Sequence, residues 1–144
     1  MSRNETTISV GIIGSMIASV FGGWSQAMTT LLIFMAIDYI CGMLAAIVFH
    51  NSKKTEDGRL DSNAGWKGLV KKGVELLIVL VAHRLDLVLE SQIVKDAVVI
   101  AFIVNETVSI GENASRLGII MPTPIQSALK VLVGKQEDDH KSSK

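Results

Sequence analysis

Residues 27–49 read AMTTLLIFMAIDYICGMLAAIVF and contain one charged side chain, Asp38, near their middle. A helix rises about 1.5 Å per residue, so this run would measure roughly 35 Å. That is enough to cross a hydrocarbon core about 30 Å thick with some tilt. A soluble core helix of this length keeps a polar face. Here Leu31, Ile33, Phe34, Ile37, Ile40, Met43, Leu44 and Ile47 point all round the axis, the pattern of a helix with no aqueous side. The run is read as a transmembrane helix, and every other segment is judged by how it fits beside it.

Composition agrees. The 144 residues are 49% apolar and 19% charged, with a mean hydropathy of +0.41. Soluble domains carry about 25% charged residues, so this balance fits a small, single-domain membrane protein. Net charge is zero, and no nucleic-acid partner is expected. Cys41 is the only cysteine, which excludes an intramolecular disulfide and a thiolate metal cluster. His50, His83 and His140 are far apart in the chain. No Walker loop, zinc motif or nucleophile with a base beside it is present. The expectation is a protein with no catalytic residues, no metal and no cofactor.

Taken in order, residues 8–24 (ISVGIIGSMIASVFGGW) carry no charge, and small residues recur every fourth position as Gly11, Ser15, Ser19, Gly23 and as Gly14, Ala18, Gly22. Such rows let helices approach closely in lipid. Three readings compete for this segment: a spanning helix, an interfacial helix, or a signal peptide ending near residues 25–27. Residues 50–72 form a polar stretch with Lys53, Lys54, Arg59, Lys67, Lys71 and Lys72 against Glu56, Asp57 and Asp61. A short basic loop belongs in the cytoplasm. Residues 73–91 (GVELLIVLVAHRLDLVLES) form the second strong apolar segment, and 95–112 the returning helix. The turn at residues 92–96 has one basic residue, Lys95, and is placed outside. Pro122 and Pro124 break helical structure. Residues 125–133 read as a short amphipathic helix, and 135–144 as a charged, disordered cytoplasmic tail following a membrane domain over 1–134. The fold class expected is all-α: three core transmembrane helices plus the N-terminal apolar helix.

The ionisable residues at membrane depth carry the functional information, because they are expensive there and seldom face lipid. At 100° per residue, Glu75, Val79, Ala82, Asp86 and Glu90 form one stripe, with Arg84 opposite. On the last helix Asn105, Ser109 and Glu112 share a stripe flanked by Glu106 and Asn113. Around Asp38 the face is completed by the small residues Cys41, Gly42 and Ala45. Shared depth suggests an ion pair of Arg84 with Asp38 or Glu106. Two roles compete for these groups: holding helices together, the commoner one, or lining an aqueous path between copies.

The order of motifs adds a resemblance. Residues 37–46 (IDYICGMLAA) are followed by the basic loop, then 65–72 (GWKGLVKK), an apolar helix with 82–86 (AHRLD), and 105–113 (NETVSIGEN), closing with Leu117, Gly118 and Pro122. This resembles the toxin-secretion and phage-lysis holin family, which includes clostridial toxin-export holins. The likeness covers residues 30–132; the insert 54–60 and the Gly-rich segment 8–23 depart from it. It implies a phage-encoded inner-membrane protein that oligomerises into a pore releasing endolysin or a toxin. By the resemblance Asp38, Gly42, Gly65, Lys67, Lys71, Asp86, Asn105, Glu106, Ser109, Glu112 and Asn113 are the residues to test, none of them catalytic. The partners implied are the chain itself, the lipid bilayer and, functionally, an endolysin. The alternatives are an antiholin or membrane adaptor, and a small ion channel.

Overall fold

In a computed structural model, which describes residues 3–50 and 62–142, every regular element is a helix: α1 (Arg3–Val20), α2 (Gln26–His50), α3 (Ser62–Leu89), α4 (Ile93–Arg116) and α5 (Thr123–Ser142). Lys53, Lys54 and Arg59 lie outside the described residues. Among the described helices one, over Gln26–Phe49, is long and apolar enough to cross a membrane, with a mean hydropathy of 2.4. The expectation of three such helices is therefore not met by length and apolarity. α1 is apolar only over Glu5–Val20, a shorter run. α3 carries Glu75, Arg84 and Asp86 within its apolar part, and α4 carries Lys95, Asp96 and Glu106. Where those charges point decides how the two helices can be used.

α4 is the central element, packed against α2, α3 and α5. Its Val99 and Ile103 meet Met28, Leu31 and Met35 of α2 and Val79 of α3 in one buried cluster. The spacings 28–31–35 and 99–103 are those of a single helix face. α2 and α3 approach through Tyr39. A Cβ built on Gly65 would sit 3.5 Å from its hydroxyl, and one on Gly68 3.7 Å from its ring. The two glycines thus leave a shallow seat on α3 for an aromatic side chain of α2.

Two segments differ from the expected boundaries. Ser62–Lys72, expected as loop, is the start of α3. The expected C-terminal tail is helical as far as Ser142, continuous with α5. Pro124 stands in the first turn of α5, where proline costs no hydrogen bond, and no further proline follows it.

α1 ends at a tight elbow. Gly22 and Gly23 adopt φ of +74° and +90°, and their N–H groups bond back to the carbonyls of Ser19 at 3.1 Å and Ala18 at 2.7 Å. The Lys95 ammonium, on a residue only 9% exposed, donates to the Phe21 carbonyl at the same elbow. The His83 ring lies against Gly22 so closely that a Cβ there would collide with it. Gly22→Ala is expected to destabilise the protein by about 1–2 kcal/mol from the left-handed backbone alone, plus the cost of displacing His83. Thermal unfolding in detergent checks this. In a His83→Ala background the same substitution should cost less, because only the backbone penalty remains.

Candidate functional site

Three helices are joined at one lysine. Lys72 is the eleventh residue of α3, so a helix begun at Ser62 carries its ammonium to the level of Asp38 and Glu106. Its Nζ donates to Asp38 Oδ2 of α2 at 2.8 Å and to Glu106 Oε2 of α4. Asn113, two turns further along α4, donates from Nδ2 to the other Asp38 oxygen at 3.1 Å. A Cβ on Gly42 would lie 3.5 Å from that amide, so the small residue leaves it room. The Lys72 and Asp38 side chains are 11% and 15% exposed, and that of Glu106 is 1% exposed. A charge withdrawn from water this far is tolerable only when paired and hydrogen-bonded. Here one cation serves two carboxylates.

Glu75, one turn after Lys72, is buried beside them. Its Oε1 reaches Lys71 Nζ at 3.8 Å, and the Lys71 side chain is 63% exposed. The inward face of α3 is therefore Glu75, Val79, Ala82 and Asp86, all four buried. Glu90, aligned with them by periodicity, is exposed and left-handed at φ +52°, just past the last turn of α3.

Asp86 does a separate job. α4 opens with Gln92 in the capping position, and that side chain makes no cap. Asp86 reaches over from α3 instead. Its Oδ1 accepts from Val94 N–H at 3.0 Å and from the Ser91 hydroxyl, and its Oδ2 accepts from Lys95 N–H at 2.8 Å. The first N–H groups of a helix have no partner within it, and a carboxylate there also meets the positive end of the helix dipole. Asp86 so fixes where α4 starts relative to α3.

The expected ion pair of Arg84 is not formed: Arg84 is exposed and Lys72 occupies the position between Asp38 and Glu106. Twelve residues, about 18 Å of helix, separate the two cations. On α4 the buried polar groups are Lys95, Glu106 and Thr107; Ser109 and Asn113 are half-buried, and Asn105 and Glu112 are exposed. Lys67 and Lys71 are exposed as well. Sequence reasoning passed over Lys72 and Lys95 as binding groups. The signal for Lys72 was its register: 72, 75, 79 and 82 fall on one helical face, continuing the inward stripe into the supposed loop.

A family model for the bacteriophage holin family matches residues 15–134. The chain belongs to the bacteriophage holin family. It is 30% identical to a probable holin of Bacillus phage phi105, over 79% of this chain and 78% of that protein. It is also 35% identical to an uncharacterized Clostridium perfringens protein, over 89% and 90% of the two chains, and 32% identical to an uncharacterized Listeria monocytogenes protein, over 97% of each. No solved structure matches it. Membership gives this holin-family chain a membrane location and a holin role. The matched region contains Asp38, Lys72, Glu106 and Asp86, so the charged centre and the α4 cap lie within the holin domain.

Proposed function

We propose that this holin-family protein assembles from many copies into a pore or lesion in the bacterial cytoplasmic membrane, through which endolysin reaches the cell wall and the host lyses. In this reading α2, α3 and α4 span the membrane, with the basic stretch 50–72 and the C-terminus on the cytoplasmic side. The carrying observation is that each copy pairs the deep charges Asp38, Lys72 and Glu106 internally, while the outer faces of α2 and α3 are mainly apolar. Exposed Ile33, Ile37, Ile40 and Leu44 of α2 and Leu77, Ile78, Val81 and Leu85 of α3 form those faces. A copy of this kind rests harmlessly in lipid. Pore opening then requires copies to rearrange so that Glu75, Glu106, Ser109 and Asn113 meet water instead of one another. Glu90, Asn105 and Glu112, already on the outside, are placed to contact neighbouring copies.

Induced expression in bacteria carrying a cytosolic endolysin is expected to collapse the membrane potential abruptly and to release the endolysin together with folded cytosolic protein. Expression that leaves potential and growth intact overturns the proposal. Delay of lysis by a co-expressed holin would assign the antiholin role instead. A selective ion flux without passage of protein would assign a channel.

A further inference from the structure

The bonding at the charged centre is short of one hydrogen. Glu75 is 5% exposed, and its Oε2 is buried with no hydrogen-bond donor in reach. Its carboxyl group lies side by side with that of Glu106. Glu106 is already engaged by Lys72, which also holds Asp38. The charged groups around Glu75 are thus few and can be named: Asp38 from α2, Lys71 and Lys72 from α3, and Glu106 from α4. Of the two lysines, only Lys72 is largely withdrawn from water. With every carboxyl ionised, the buried Glu75 and Glu106 and the half-buried Asp38 would share one half-buried cation, Lys72, and the two glutamates would have nothing between them. Buried acceptors without donors are costly, and like charges in contact more so.

We infer that Glu75 and Glu106 form a proton-binding site: one proton sits on Glu75 and is donated to Glu106, and its departure to water drives α3 from α4. The protonated carboxyl supplies the missing donor and lowers the buried negative charge by one. Loss of the proton leaves two carboxylates in contact across the α3–α4 interface, the interface that Val79, Val99 and Ile103 close nearby. The second half of this inference, that separation opens the pore, rests on the function proposed above; the first half does not. The sign follows from linkage. The separated state binds fewer protons, so it gains as pH rises, by at most about tenfold per pH unit for one proton.

The test uses the full-length protein in vesicles of phosphatidylethanolamine and phosphatidylglycerol. The infrared carbonyl band of a protonated carboxylic acid should be present in the wild type at neutral pH and lost in Glu75→Gln, which keeps the size and the donor of the protonated acid. Absence of the band from the wild type, or its persistence in the variant, overturns the site. Release of a pH-insensitive dextran dye should accelerate with pH in the wild type and lose that dependence in Glu75→Gln. Release with no pH dependence in the wild type, or with the same slope in both, overturns the switch. Vesicles that release nothing at any pH contradict the pore itself, and the infrared band then still decides whether the proton is there.

Discussion

Lys72→Met should all but abolish accumulation of the folded protein in the membrane. The substitution keeps most of the apolar stem and removes the ammonium that Asp38 and Glu106 share. The buried Glu106 and the largely buried Asp38 lose their common cation, and Asp38 keeps only the Asn113 amide and the Ser109 hydroxyl as donors. Removing one partner of a buried ion pair costs about 3–5 kcal/mol, because the other partner stays buried and uncompensated. Total stabilities are only about 5–15 kcal/mol, so the loss is a large share of the whole. Immunoblots of the membrane fraction and pulse-chase half-lives would show it. Lys72→Met combined with Asp38→Asn and Glu106→Gln should restore accumulation, since no orphaned charge remains. Arg84→Leu, by contrast, touches an exposed cation and should shift stability by no more than about 0.5 kcal/mol. An Arg84 variant as damaging as the Lys72 variant would show that the wrong cation has been placed at the centre.

That contrast marks how far the sequence can be read. The all-helical class was legible because the apolar run around Asp38 admits no other structure. The α3 stripe was legible for the same kind of reason: 75, 79, 82 and 86 repeat at the helical period, and they are the buried residues of that helix. The depth of each charge was not. Hydropathy turns apolar at Gly73, and depth counted from there puts Arg84 mid-segment and Lys72 in a loop. A helix begins where its backbone first bonds to itself. That is Ser62, and the whole cation assignment slides by three turns. A lysine stem is apolar enough to lie along the bundle while its head reaches inward, so hydropathy alone marks such a residue as solvent-facing. On α4 the misreading was narrower. Asn105 and Glu106 are adjacent and 100° apart, and both are plausible at depth. Only the partner across the interface, Lys72, selects Glu106 for the inside. The Asp86 cap was illegible for a further reason: the acceptor comes from the previous helix, so no local capping pattern surrounds Gln92.

Asp86→Ala is the second substitution expected to have a large effect, and it separates helix placement from charge pairing. It removes the acceptor of Val94 N–H, Lys95 N–H and the Ser91 hydroxyl at once. Loss of a capping side chain costs about 0.5–2 kcal/mol, and hydrogen bonds to a charged acceptor are worth about 1.5–3 kcal/mol each. A net destabilisation of roughly 2–4 kcal/mol is expected, since water can reach part of the exposed turn. Asp86→Asn should recover little. Its amide retains one acceptor oxygen, and its –NH2 group must face either the Val94 or the Lys95 N–H, donor against donor. Hydrogen exchange should locate the damage at the first turn of α4, with faster exchange at Val94 and Lys95. The effect should then spread to the elbow of α1, because the Lys95 ammonium that holds the Phe21 carbonyl hangs from that same turn. The pairs of Lys72 with Asp38 and Glu106 lie about 15–20 Å away along the helix and should be weakened far less. If Asp86→Ala instead loosened the Lys72 centre and left the α1 elbow protected, the two ends of α4 would be coupled through the helix, and the cap would not be the local clamp its geometry describes.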